Sequence, residues 1–300
     1  MRSRFAPDWR LTVRMVTVLF LLGLVFVAFV AVLVALLKSV VVVVVIAAGV
    51  LAAQYWFSDR IALFAMHAHE VTPQEQPELH GAVDRLCALA DMPKPQVAVS
   101  EMDLPNAFAT GRNADHAVVC VTTGLLRRLE PGELDGVLAH ELSHVAHRDV
   151  AVITLASFLG VLAGLMVRFA FYSELFGRGR RDQNTLLMLT LIMAVSVVVY
   201  SLSFLLIRAL SRYRELAADR SAAELTGRPS DLASALVKVS GTIARIPSED
   251  LRTARAFNAF FFTPALKEGS PLAAVFSTHP SLERRLAALA KLSTELGLHA

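Results

Sequence analysis

Apolar residues fall in two patterns along this chain: long uncharged runs, and shorter stretches where they recur every three or four residues. Met15–Leu37 and Val40–Phe57 are of the first kind, parted only by Lys38-Ser39. A helix rises about 1.5 Å per residue and a bilayer core is about 30 Å thick, so each run predicts a membrane-crossing helix. The valines Val40–Val45 would form helix poorly in water, but in lipid the backbone must satisfy its own hydrogen bonds. A cleaved signal peptide has a shorter apolar core, about 7–15 residues, so an uncleaved helical hairpin is expected instead. Val150–Val167 and Thr185–Ile207 are two further runs. They predict a second hairpin, which either crosses fully or sits partly inside a protein chamber; crossing is the preferred expectation, giving four transmembrane helices.

Between and after these runs the pattern is that of a folded domain. Gln76–Met92 carries Leu79, Val83, Leu86 and Leu89 on one helical face, and Pro93 and Pro95 stop it. Strands are predicted at Gln96–Ser100, Asn106–Thr110 and Ala117–Thr122, the last two around the turn Gly111-Arg112-Asn113. A short helix, Leu125–Leu129, leads to an amphipathic run from Glu133 to Asp149 whose apolar face is Val137, Leu138, Leu142 and Val145. Beyond the fourth run, helices are expected at Ser211–Thr226, Ser230–Arg245 (capped by Ser230 or Asp231) and Ser281–Leu296. The phenylalanine-rich stretch Phe257–Phe262 reads as core or as a substrate lid, core being preferred. The expected organisation is therefore a hairpin over 1–58, a first domain segment over 59–149, a second hairpin over 150–208 and a second domain segment over 209–300.

Composition sharpens this. Of 300 residues 55% are hydrophobic and only 18% charged, below the quarter usual for soluble domains. The net charge of +3 is too small, and basic patches with interleaved aromatics are lacking, so no nucleic-acid partner is expected. Cys87 and Cys120 form no C-x-x-C and read as buried free thiols, which fits a reducing compartment. Arg2, Arg4, Arg10 and Arg14 face a single Asp8 ahead of the first run, so the positive-inside bias puts that end in the cytoplasm. Trp9 and Tyr55-Trp56-Phe57 fall at the same interface of the hairpin, and the domain after residue 57 then starts on the cytoplasmic side. Arg178, Arg180 and Arg181, between the last two runs, run against this bias; Arg208, Arg212 and Arg214 follow it.

The chemistry is concentrated in His140-Glu141-Leu142-Ser143-His144. Residues four apart on a helix share a face, so both histidines can present a ring nitrogen to one metal ion, with Glu141 offset towards a water at that metal. A catalytic zinc takes three protein ligands. The best third donor is Glu215; Asp219, again four residues on, can then accept a hydrogen bond from the far nitrogen of a ligating histidine, His140 foremost. Ala217-Ala218 between them allows close helix approach. As alternatives, Glu215 and Asp219 belong to an ordinary solvated charge run, and His147 is structural rather than a ligand.

With Asn106-Ala107-Phe108-Ala109 and His279-Pro280 plus Arg285, these motifs resemble an HtpX-type membrane zinc metalloprotease, within the gluzincin group that includes the CAAX prenyl endopeptidases. The resemblance covers essentially the whole chain. It implies one Zn²⁺ per chain on His140, His144 and Glu215, Glu141 as general base, Asn106–Ala109 as the edge strand that pairs with an extended substrate, His279 steadying the oxyanion and Arg285 supporting from behind. It implies a mainly α membrane protein with four transmembrane helices and an α+β gluzincin-like zinc protease domain containing a small sheet. It further implies polypeptide substrates, membrane proteins above all, and a part in quality control and stress response at a bacterial inner membrane. On the residues alone, His279 reads equally as a turn residue before Pro280, and Asn106 as one after Pro105. Prenyl-protein endopeptidase is the alternative activity; a membrane scaffold with a structural zinc is the alternative of another class.

Overall fold

The first two apolar runs fold as helices α1 (Trp9–Leu37) and α2 (Val40–Ala65), broken by one left-handed residue, Lys38 at φ 53°. The break is satisfied from both sides. Lys38 N–H donates to the Val34 carbonyl at 2.9 Å, and Ser39 Oγ accepts the N–H of Val42 at 3.3 Å. This computed structural model describes residues 9–111, 113–147, 158–168, 171, 183–245 and 279–297. Phe257–Phe262, Arg178–Arg181 and Asp149 lie outside the described residues. α2 continues two turns past Phe57, where the sequence pattern predicts its end, because Asp59-Arg60 ends the apolar run without ending the helix.

The chain divides into two compact units. One comprises Thr12–Phe57 and Val152–Leu210. It holds most of α1 and α2, α6 (Phe158–Arg168) and the first part of α7 (Gln183–Thr226). Phe29, Leu33, Val43, Ala47, Leu162, Ala163 and Ile192 fill its interior, while Phe20, Val27, Val41, Val45, Val198 and Leu205 are exposed. Apolar residues inside and outside alike suit a bundle whose solvent is lipid. Thr17, Thr190 and Ser201 return their hydroxyls to the carbonyls four residues back at 2.8, 2.9 and 2.8 Å, so these polar groups are satisfied within the helix. Three helices are long and apolar enough to cross a membrane, starting at Thr12, Val40 and Leu186. That is one fewer than expected among the described residues. The run Val150–Val167 is described only from Phe158 onward, as the apolar helix α6.

The other unit contains Ser58–Ala151 and Ser211–Ala300. Its sheet has the order β1-β2-β4-β3, with β1 Ala68–Glu70, β2 Gln96–Ser100, β3 Ala107–Gly111 and β4 Ala117–Thr122. β4 is central, parallel to β2 and antiparallel to β3, and all its residues are buried. β3 is an edge strand. It is shifted one residue from the predicted Asn106–Thr110 because Gly111, at φ 134°, closes the turn: a Cβ there would lie 2.2 Å from the His116 carbonyl oxygen. β1 was not expected. Ala68 is half-buried and His69 and Glu70 are exposed, with no alternation, and pairing with β2, Ala68 opposite Ser100, makes it a strand.

Helix α3 (Pro77–Ala90) starts with proline in its first turn and ends at Asp91 in the left-handed region, φ 51°. After the short α4 (Thr123–Leu126) comes α5 (Pro131–Ala146), which carries the H-E-x-x-H motif. A capping box begins α5: Glu130 N–H donates to the Glu133 carboxylate at 2.9 Å, while Glu133 N–H returns to the Glu130 side chain. Lys238 and Ser234 of α8 (Pro229–Arg245) also grip Glu133, at 2.7 and 2.6 Å, tying the start of the motif helix to its neighbour. α9 (Leu282–Glu295) begins at Ser281, whose hydroxyl caps it. Val83, Leu86, Val119, Val121, Leu138, Leu142, Leu232, Leu236 and Leu289 belong to the common core of this unit.

Candidate metal centre

α5 buries its motif face. His140, Glu141 and His144 are all buried, and their apolar neighbours Leu138, Leu142 and Val145 anchor the helix in the core. The two imidazoles stand edge to face, centroids 4.9 Å apart, as residues one turn apart on one face must. Ser143 Oγ donates to the His140 carbonyl at 2.8 Å, so the motif's serine is used within the helix. The last turns of α7 bring Glu215 opposite. His140 Nε2 lies 3.6 Å from Glu215 Oε2, and His144 Nε2 lies 3.6 Å from Oε1. One ligand atom from each of the three residues falls within 4.8 Å of the others.

Those spacings fit a cation. In a tetrahedral zinc site with bonds of about 2.0–2.2 Å, neighbouring donor atoms stand about 3.3–3.6 Å apart. Both nitrogen-to-carboxylate distances match that edge and are long for hydrogen bonds. Two imidazoles and one carboxylate also form a donor set suited to zinc, and among the described residues neither cysteine joins the group.

Behind the first ligand, His140 Nδ1 lies 2.9 Å from Asp219 Oδ1. Asp219 in turn takes Arg285 Nε and Nη2 at 2.7 and 2.6 Å. Behind the third, His279 Nδ1 lies 2.8 Å from Glu215 Oε2. Arg214 Nη2 stands 3.5 Å from His144 Nδ1. Asp219, Arg285, His279 and Arg214 are all buried. The structure thus brings together His140, His144, Glu215, Asp219, His279 and Arg285. His279 touches the carboxylate of Glu215 and is more than a turn residue ahead of Pro280.

Glu141 is buried near the edge strand, where the backbone N–H of Ala109 favours its ionised form. Burial pushes this carboxyl up to about 7; the nearby Glu215 charge adds to the rise, and His140 and the Ala109 N–H only partly offset it. A base poised near neutrality suits proton transfer at physiological pH. Burial alone would lower the His140 pKa, but Asp219 and Glu215 outweigh it and push it up to about 9. The pocket favours positive charge between those carboxylates, which a metal ion supplies in place of a proton.

Asn106, Ala107 and Phe108 are buried, and Ala109 is half-buried. Asn106 donates its N–H to Thr122 Oγ1 and accepts from Thr122 N–H, both at 2.9 Å, so its backbone is committed to β4. The Ala109 contact with Glu141, the hold of His279 on Glu215 and the place of Arg214 beside His144 carry no pattern in the sequence; each is made by elements far apart in the chain.

The sequence profile described as Peptidase family M48 matches residues 73–293, a stretch that includes every residue of the metal group. The chain is 74% identical over 297 residues to a protein named Protease HtpX homolog 1 from Streptomyces coelicolor, covering 99% of this chain and 97% of that one. It is 54% identical to a protein named Protease HtpX homolog from Moorella thermoacetica, covering 99% of both chains. The crystal structure of S. mikatae Ste24p is similar in fold, with a TM-score of 0.51 at 18% identity, covering 89% of this chain and 62% of that one.

Proposed function

The chain belongs to peptidase family M48 and is a membrane-bound metallopeptidase, and on that premise we propose that it is a zinc endopeptidase with its site facing the cytoplasm. His140, His144 and Glu215 would hold one Zn²⁺. The observation that carries this is the pair of 3.6 Å spacings from the two Nε2 atoms to the two oxygens of Glu215. Zinc, when bound, supplies Lewis acidity that lowers the pKa of a coordinated water from 15.7 to about 7.

Glu141 takes a proton from the attacking water and hands it to the leaving amine, a role worth roughly 10²–10⁴-fold. Its carboxyl, pushed up to about 7 by burial, suits both halves of that transfer. Asp219 holds His140 by Nδ1, which turns Nε2 with its lone pair towards Glu215. Arg285 keeps Asp219 ionised and in place. His279 orients Glu215 and is our candidate for steadying the oxyanion. The outer edge of β3, Asn106–Ala109, pairs with an extended peptide through main-chain hydrogen bonds, which gives broad side-chain tolerance.

The substrates we propose are membrane proteins and misfolded polypeptides, cleaved near the bilayer at a bacterial inner membrane in quality control under stress. Arg2, Arg4, Arg10 and Arg14 support the cytoplasmic side. The four segments 1–58, 59–149, 150–208 and 209–300 are read as two hairpins alternating with the two halves of the protease domain. Structural zinc usually takes four protein ligands, often cysteine, so a three-residue donor group among the described residues favours catalysis over the scaffold role. Prenyl-protein cleavage is the runner-up, and a farnesylated peptide separates it from general proteolysis.

The test is Glu141→Gln in the purified full chain. Metal content should remain that of the parent while cleavage of unfolded casein is lost. Full cleavage by that variant overturns the mechanism.

A further inference from the structure

β3 is held between β4 and the motif helix. Residues of an antiparallel pair alternately aim their backbone groups at the partner strand and away from it. Asn106 is hydrogen-bonded to Thr122, so by the register of the pair Ala107 and Ala109 turn theirs to the outer edge.

The rung at the start of that edge is irregular. A regular rung would send the Asn106 N–H to the carbonyl of Thr122; it goes to the Thr122 hydroxyl instead, at 2.9 Å. The same oxygen caps α4 by accepting the N–H of Leu125 at 3.1 Å. One fully buried hydroxyl therefore fastens the strand's first residue to the next helix. The preceding turn is fastened to the same place. Gly124 N–H donates to the Met102 carbonyl at 2.9 Å, and Arg128 Nη1 reaches the Asp103 carbonyl at 3.1 Å. The fit leaves no room: a Cβ on Gly124 would lie 2.1 Å from the Asp103 oxygen.

We infer that Thr122 is a positioning residue for peptide recognition: its hydroxyl fixes where the outer edge of β3 begins, and so the register in which an extended substrate would meet the backbone of Ala107 and the carbonyl of Ala109. This role rests on the edge-strand pairing proposed above.

Thr122→Val keeps the shape and removes the acceptor; Thr122→Ser keeps the acceptor. In the full chain, Thr122→Val should raise KM for an extended unstructured peptide about tenfold, with kcat within about twofold, since the Asn106 and Leu125 N–H groups both lose their acceptor away from the reacting atoms. Metal content should not change, KM for a minimal dipeptide amide should not change, and Thr122→Ser should restore parental values. An unchanged KM for the extended peptide, or an equal fall in kcat on both substrates, overturns the role. If Thr122→Val does not fold, Gly124→Ala displaces the Met102–Asp103 turn independently; an unchanged KM there overturns it equally. Backbone N-methylation of the peptide, assayed on the parent enzyme, tests the edge pairing itself. Indifference to methylation sinks that pairing whatever the Thr122 variants do.

Discussion

Asp219 stands between His140 and Arg285, its Oδ1 2.9 Å from His140 Nδ1 and its carboxylate gripped twice by the guanidinium. All three side chains are buried, so the charge on Asp219 serves two partners at once. Asp219→Asn keeps an acceptor for His140 but leaves Arg285 without its counter-charge. Metal affinity should fall about 10–100-fold, the usual consequence of losing a carboxylate behind a ligating histidine. Competition against a chromogenic zinc chelator measures this, and a parental affinity would contradict it.

The same network sets how the metal-stripped protein responds to pH. His140 is pushed up to about 9 from 6.5 and Glu141 up to about 7 from 4.5. Both folded-state values are raised, so each group's contribution is fully present below its unfolded value and is lost as pH rises through the folded one. Together they should cost the metal-stripped protein on the order of a few kcal/mol between pH 5 and pH 9.5. Thermal unfolding in detergent at several pH values should show Tm falling across that window. His140→Ala should flatten the upper part of the fall. A Tm that rises with pH in the metal-stripped parent would refute the assignment.

Gly136 lies where α5 passes α8. A Cβ there would sit 3.2 Å from both the Cα and the N of Leu232, backbone atoms that cannot swing aside. Gly241, on α8, has nothing within 4 Å of that position. Gly136→Val should therefore destabilise by about 1–3 kcal/mol through overpacking. Gly241→Ala should stabilise by about 0.4–1 kcal/mol by narrowing the unfolded ensemble. Equal Tm values for the two variants would show that helix propensity, not close approach, governs both sites.

What the sequence revealed follows from the range of the forces involved. The two histidines and Glu141 share one helix with a regular apolar face, so motif and periodicity agree over a single stretch. Glu215 and Asp219 were legible because they too stand four apart, on a helix that could face the first. β4 was legible as a strand from the run Ala-Val-Val-Cys-Val-Thr beside a turn. β1 was not, because Ala68–Glu70 becomes a strand only by pairing with β2. The end of α2 was misjudged because hydrophobicity marks where lipid ends, whereas backbone hydrogen bonding continues to Ala65. The Ala109 N–H that meets Glu141 is a main-chain group, and no side-chain pattern can announce it.

His279 offers the sharpest remaining distinction. Its Nδ1 lies 2.8 Å from Glu215 Oε2, so it restrains the third ligand directly. A residue that served only the oxyanion would lower kcat when removed and leave zinc binding alone. A residue that orients a ligating carboxylate lowers affinity for the metal itself, typically 10–100-fold. The geometry predicts the second outcome for His279→Ala, with a fall in activity that excess zinc partly restores. His279→Asn retains a donor near Nδ1 and should recover more zinc affinity than His279→Gln, whose amide reaches towards Nε2. Zinc titration of the three variants, with peptidase assays at limiting and saturating metal, measures both quantities. Parental zinc affinity in His279→Ala together with a collapsed kcat would assign this histidine to the oxyanion and leave Glu215 to be held by other groups.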